Sequence, residues 1–448
     1  SYLFLDYAAA PESLVHGIRK LEPGHCISWQ GGRLGAPRRF ARAVHAVETG
    51  KGDPSALADE LWERLSRSVS DQLESDVPLG IFLSGGLDSS TVASLAKAAA
   101  SGPVTTFSIA FEDQEFDESP YARQVARHLG TQHVERTLSE GSLLEILDAA
   151  LTSLDEPLAD PSYLPTYLLS ELASRHVKVA LGGDGGDEVF GGYPTYRAHR
   201  LAALYAGIPS TARRLARRAA GLLGVSDGYQ SLGWKLRRFT ERWDDDALRR
   251  HFRWMSSTDL PELEALRGRP IAPSVDPLAG LLERLDRREL MALDPVTRAQ
   301  RLDLGHYLPG SVLTKVDRAS MAFGLEVRPP FLDHELVDWA FGLDSSLKLR
   351  GKSGKWLLKR AALRALPREI VERPKRGFAI PLSRWCKGPL KARLEAVLNS
   401  SPLWDGMLNR DGFAREHGEH QAGSNDHSKT LWAVLVLDHW IKKEGIHA

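Results

Sequence analysis

Cysteine is nearly missing: Cys26 and Cys386 are the two among 448 residues. So few exclude a disulfide-stapled fold and a cysteine-rich zinc site, and they suit a reducing, cytoplasmic setting. Long apolar runs are missing as well. A bilayer-spanning helix needs about 20 consecutive apolar residues, and the longest candidates, Leu201 to Ile208 and Trp432 to Leu437, read as buried helix segments. Neither a membrane partner nor a signal peptide is expected. Net charge is absent too, with 58 basic against 58 acidic residues, which removes the electrostatic case for binding nucleic acid. There is no internal repeat, low-complexity tract or long linker. An initiator methionine is also lacking. The chain opens on Ser1 and enters Tyr2-Leu3-Phe4-Leu5, a strand-like stretch, so the numbering is expected to start inside a longer protein.

What is present is a chain long enough for two or three structural units. Residues 1 to about 50 read as strands and turns, with Gly31-Gly32 as a hairpin turn between Ile27-Ser28-Trp29 and Arg33-Leu34. Leu57, Leu61, Leu65 and Val69 recur every four residues, which predicts an amphipathic helix from Pro54 to about Glu74. Pro78 to Leu83 is a buried strand by pattern, and a polar loop, Ser84 to Ser90, leads to a helix over Thr91 to Ala100. Further strands are expected at Val104 to Phe111, His133 to Thr137 and Val177 to Leu181, with a helix over Ser119 to Leu129. This alternation predicts an α/β fold, a parallel sheet with helices on both faces. From residue 196 to about 300 the pattern is helical and arginine-rich. Residues 311 to 448 continue as helices between proline-containing turns, with Trp356, Trp385 and Trp432 on apolar helix faces.

Two loops carry chemistry. Ser84-Gly85-Gly86 follows a strand and feeds a helix, so backbone N–H groups and the helix dipole converge on one spot, a phosphate site. Gly85 and Gly86 permit close approach, and Ser84, Ser89 and Ser90 add hydroxyl donors. Asp88 would repel a bare phosphate and makes sense with a magnesium ion between them. The plainer alternative is a helix start with ordinary caps. The Gly-Lys-Ser/Thr ending of a P-loop is absent, so the loop fits pyrophosphate as a leaving group better than γ-phosphoryl transfer. The second loop, Gly182 to Gly186, can lay its backbone against adenine or ribose. Asp184, Asp187 and Glu188 crowd three carboxylates into it, which demands a cation or a protonated partner. Its plainer alternative is a Gly/Asp-rich surface turn.

Ser84-Gly85-Gly86-Leu87-Asp88-Ser89 resembles the pyrophosphate loop of ATP pyrophosphatases. Leu181 to Tyr193, Leu313 to Arg318, Gly324 to Asp333 and Arg373 to Phe378 are similar, in the same order, to motifs of glutamine-hydrolysing asparagine synthetases (the asparagine synthetase B type). The resemblance covers residues 51–448 as the synthetase domain of an ATP pyrophosphatase-like fold with a large helical portion. Residues 1–50 are then a short β remnant of a glutaminase-type domain. It implies ATP and Mg2+ as cofactors and aspartate as substrate, with ammonia, free or glutamine-derived, as nitrogen source. Aspartate is activated as β-aspartyl-AMP with release of pyrophosphate, and ammonia then displaces AMP to give asparagine. Asp184 falls where the family's general base is usually glutamate, and Lys375 falls at a lysine that reaches the phosphate charge. Asp187 matches a magnesium-linked acid beside Asp88, and Leu83, Ile109, Gly182 and Gly183 match positions that enclose the nucleotide. The glutaminase nucleophile, a first-position cysteine, has no counterpart at Ser1, so free ammonia is the expected donor. A homodimer is compatible with this reading.

Other charged residues leave alternatives open. Asp155-Glu156-Pro157 and Asp160-Pro161-Ser162 form either an exposed acidic loop or a wall of the substrate pocket. Lys315, Asp317, Arg318, Arg328 and Asp333 either pair among themselves or supply an arginine for a substrate carboxylate. Three rival functions remain. A related amidotransferase or cyclase would adenylate a sugar acid, a peptide or a β-lactam precursor. A non-catalytic ATP sensor would not need Asp88, Asp187 and Lys375. A tRNA-modifying relative would need a basic face and thiol chemistry.

Overall fold

A computed structural model describes residues 1–40, 52–221, 232–272, 276–374 and 380–446. Near the N-terminus, β1 (His25–Cys26) pairs with β4 (Arg38–Arg39), and β2 (Trp29–Gln30) pairs with β3 (Arg33–Leu34), both antiparallel. Trp29 faces Leu34 across Gly31-Gly32, whose φ angles of 56° and 76° make the expected tight hairpin turn. Tyr2–Leu5 is a short helix, not a strand. Four residues cannot reveal their period, and here burial decided: Tyr2, Phe4 and Leu5 pack into a large core. The Tyr2 hydroxyl donates to the Ala433 carbonyl at 2.9 Å, tying this helix to the C-terminal one.

Five parallel strands form the central sheet: β5 (Leu79–Phe82), β6 (Thr105–Phe111), β7 (Gln132–Leu138), β8 (Val179–Leu181) and β9 (Glu326–Arg328), in the spatial order β7-β6-β5-β8-β9. Alternate residues face opposite sides. Ile81 and Leu83 join a core with the Pro54–Gln72, Leu87–Ala99 and Trp356–Ala362 helices, while Phe82, Phe107 and Ile109 join another with Glu140–Thr152, Tyr163–Ser174 and Ser428–Glu444. The sheet thus has helices on both faces, as the alternation predicts. β9 lies inside a stretch read as helix and turn. Its three residues include Glu326 and Arg328, and a short, charged edge strand gives no apolar run to detect.

The Leu87–Ala99 helix begins four residues earlier than expected, so Asp88 and Ser89 stand on its first turn. Leu201, Leu204 and Ile208 are exposed on the surface, correcting their reading as a buried segment. Trp385 and Trp432 are core, whereas Trp356 is half-buried beneath the Arg350 guanidinium, 4.6 Å from its ring centre. Among the described residues, no helix is long and apolar enough to cross a membrane.

Glu416, on the Arg410–Ala422 helix, is 1% exposed, and its Oε2 has no hydrogen-bond partner among the described residues. Burial first, then Glu262, pushes its carboxyl up to about 8. A folded-state pKa raised above the unfolded value stabilises at acid pH and is lost as pH rises through about 8. Glu416→Gln is therefore expected to flatten the fall in stability between pH 5 and 8, a slope of up to about 1.4 kcal/mol per pH unit. Calorimetric Tm across that range checks it. Equal slopes in both proteins would contradict it.

Candidate active site

The carboxyl ends of β5, β6 and β8 open onto one cavity of about 750 Å³, the place where parallel α/β sheets hold ligands of this size. Leu83 hydrogen-bonds from its N–H to the Phe107 carbonyl at 2.8 Å, after which the chain leaves the sheet. The Ser84 and Ser89 hydroxyls lie 3.0 Å apart, the Ser84 N–H donates to Ser89 Oγ at 3.2 Å, and the Gly86 N–H donates to Ser84 Oγ at 3.3 Å. These contacts coil the loop around the start of the Leu87–Ala99 helix, whose N-cap, Gly86, supplies no capping side chain. A helix start without a cap leaves its N–H groups to an anion. Arg373, itself part of the cavity wall, braces the loop: it pairs with Glu118, donates to the Gly85 carbonyl at 3.4 Å and stacks 3.7 Å over the Tyr121 ring.

The second loop packs directly on the first. A methyl group on Gly183 would lie 2.8 Å from the Ser89 nitrogen and 3.1 Å from Asp88 Cβ, and one on Gly186 would lie 2.8 Å from Asp88 Cγ. Glycine is required because two backbones meet here. This contact brings Asp88 and Asp187 together, although they are 99 residues apart in sequence.

Between them sits Lys355. Its ammonium pairs with Asp88 and, at 2.6 Å, with Asp187, and the residue is 5% exposed. Burial alone would lower its pKa, but the two aspartates outweigh burial and raise it. The two carboxylates thus favour the charged form of the lysine. Its backbone takes a left-handed φ of 54°, the strained start of the Trp356–Ala362 helix. The sequence gives no pattern for it. Its partners are 267 and 168 positions away, and Ser353-Gly354-Lys355 is too short to be specific. The expected crowding of carboxylates is thus relieved in two ways. Lys355 neutralises Asp187, and Glu188 turns inward, accepting the Tyr193 hydroxyl at 2.7 Å, with burial and Asp187 pushing its carboxyl up to about 7.

Asp184 faces the cavity with its carboxyl raised above the usual range, by burial first and by Asp88 and Asp187 after it, against the pull of Lys315. Lys315 donates to Asp160 Oδ2 at 3.2 Å and to Ser162 Oγ at 2.9 Å. It is delivered by a helix that widens into a π-helical stretch over Asp303–Leu313, a distortion common at functional sites. Burial would raise the Asp160 carboxyl, but Lys315 and Ser162 hold it below its usual range. Asp160-Pro161-Ser162 is therefore pocket wall, while Asp155 pairs with Arg318 on the surface and Glu156 pairs with Lys20. Arg318 and Arg328 are outside the pocket lining. Arg328 pairs with Glu326 at 2.6 Å and Asp333 caps the His334–Phe341 helix.

Leu83, Ser84, Gly86, Asp88, Ser89 and Ile109 line the cavity from one side, and Gly182, Gly183, Asp184 and Asp187 line it from the other. Gly85 sits behind the loop, and Lys375 lies outside the described residues. The Asp88 and Asp187 carboxylates converge at the first loop, a donor set that would suit Mg2+, which takes one or two carboxylates plus substrate phosphates. Among the described residues, no group of three or more His, Cys, Asp or Glu is arranged to hold a metal.

Against this geometry, the sequence profile described as asparagine synthase matches residues 60–442. The chain belongs to the asparagine synthase family. It is 33% identical to a putative glutamine-hydrolysing asparagine synthetase of Mycobacterium tuberculosis over 98% of its own length and 66% of that relative. With asparagine synthetase 1 of Bacillus subtilis it shares 28% identity over 98% of the chain and 67% of the relative. More distantly, it is 23% identical to amidase chry2 of Gibberella zeae over 87% of the chain and 62% of that protein. This family member therefore spans about two thirds of the length of the asparagine synthetases it matches. The family is one of ATP-dependent ligases.

Proposed function

We propose that this chain adenylates a carboxylate with ATP and passes the acyl group to ammonia, making an amide, with aspartate as the acceptor and asparagine as the product. The observation that carries the reading is Lys355, fixed between Asp88 of the first loop and Asp187 of the second, at the mouth of an uncapped helix. A cation held rigidly where phosphate charge builds up is the usual form of electrostatic catalysis. The N–H groups of residues 84 to 89 would hold the departing pyrophosphate. Asp88 and Asp187 would hold Mg2+, which when bound neutralises triphosphate charge and orients the leaving group. Leu83, Ile109, Gly182 and Gly183 would enclose the nucleoside. Asp184, which lines the cavity and is raised in pKa, would take the proton that ammonia loses when it attacks the acyl carbon. Lys375 remains a proposed second cation toward the phosphates.

Amidases among the relatives favour a second reading for the acceptor alone. The same centre would then serve another carboxylate, such as a sugar acid, a peptide or a β-lactam precursor. One assay separates them. With ATP, Mg2+, L-aspartate and ammonium, the first reading expects AMP and pyrophosphate in equal amounts, dependent on both aspartate and ammonium. Folded protein that binds ATP but ignores aspartate would move the assignment to the second reading.

A further inference from the structure

The same cavity is also lined by Arg238, Arg242, Ser257, Glu262, Lys429 and Thr430, none of which belongs to the two glycine-rich loops. The arginine heads are fixed mainly by carbonyls. Arg238 donates to the Trp254 carbonyl at 2.8 Å, and Arg242 donates to the Ser257 carbonyl at 2.9 Å and the Ser256 hydroxyl at 3.0 Å. Carbonyls orient a guanidinium without cancelling its charge. Four acids lie near: Glu262 stands 3.6 Å from Arg242 and Asp6 accepts the Ser257 hydroxyl, while Asp259 and Asp160 are taken by Arg253 at 3.1 Å and Lys315 at 3.2 Å.

Lys429 makes this an excess. Its side chain lies deep in the protein yet is exposed, because it faces the cavity. Its ammonium has neither hydrogen bond nor ion pair with any described residue. It stands on the first turn of the Ser428–Glu444 helix, against the positive end of the dipole. Burial first, then Arg238, holds its pKa below the usual range, opposed by Asp6 and Asp160. An exposed ammonium that faces the cavity and makes no contact of its own has no structural role to justify it. An incoming anion would.

We propose that Lys429, backed by Arg238 and Arg242, is an acceptor-recognition subsite that binds a second carboxylate of the acceptor, remote from the one that is activated. This deepens the adenylating reading and rests on it. Lys429, Arg238 and Arg242 line the same cavity as Lys315, Asp160 and Asp184, so one small acceptor can meet both ends. The acceptor class is a short dicarboxylic amino acid such as L-aspartate.

The test is calorimetric titration of L-aspartate, and of its α-amide, into the chain with AMP and Mg2+, with ATP affinity measured alongside. The wild type is expected to bind aspartate roughly 10- to 100-fold more tightly than the α-amide, the worth of one charge-assisted hydrogen bond. Lys429→Met should erase that preference while leaving the α-amide and ATP affinities within about twofold, and Lys429→Arg should restore most of it. A preference that survives Lys429→Met overturns the subsite. So does a wild type that binds ATP but not aspartate. Wild-type protein that binds no ATP overturns the underlying reading instead, and the subsite with it.

Discussion

Lys355→Met is expected to lower kcat/KM for aspartate-dependent AMP formation by roughly 10²- to 10³-fold, the usual loss when one fixed group that stabilises transition-state charge is removed. Methionine retains most of the apolar stem, which runs past Gly192, while deleting the ammonium that joins Asp88 to Asp187. Two carboxylates at the proposed phosphate loop then lose their shared cation, so repulsion toward the triphosphate grows as catalytic charge disappears. Arginine should not rescue, because its planar fork is wider than the slot beside Gly192 that a lysine stem fills. Steady-state kinetics with circular dichroism as a folding control decide the matter. Activity within twofold of the wild type would remove Lys355 from the mechanism.

Gly183→Val is the second large effect. The first carbon of any side chain there would meet the Ser89 nitrogen at 2.8 Å, and backbone at a helix start cannot swing aside as a flexible side chain can. Overpacking of this kind costs about 1–3 kcal/mol of stability. The greater loss should fall on ATP affinity, because relief requires the two loops to part, and those loops carry Ser89, Asp88 and Asp187. Each 1.4 kcal/mol withheld from binding is about tenfold in Kd, so a loss of at least about tenfold is expected. Thermal unfolding and ATP titration measure the two effects separately. A variant with reduced Tm and unchanged ATP affinity would show that the loop contact supports the fold alone.

The parts of this molecule that could be read from its sequence are those whose signal is local. β5, β6 and β8 announce themselves as apolar runs because both faces of the sheet are covered, and the turn from β5 into the Leu87–Ala99 helix is legible because strand, glycines and helix are contiguous. Lys355 was illegible because its partners come from two other loops, and only folding brings the three together. β9 was missed for a different reason. A three-residue edge strand with Glu326 and Arg328 at its ends has no periodicity to offer. The Asp155 and Asp160 segments look alike in sequence. They separate only in three dimensions, where Lys315 reaches Asp160 and the surface Arg318 takes Asp155. Lys429 has no pattern at all, since an isolated lysine on the first turn of an apolar helix reads as an ordinary solvated residue.

The central claim is that the acceptor's carboxylate attacks the α-phosphorus of ATP, and oxygen transfer tests it most directly. With L-aspartate labelled with ¹⁸O in its β-carboxylate, turnover with ATP, Mg2+ and ammonium is predicted to place one labelled oxygen in the phosphate of AMP. Mass spectrometry of AMP reads this without reference to any variant. Unlabelled AMP, or ADP with labelled phosphate, would contradict adenylation.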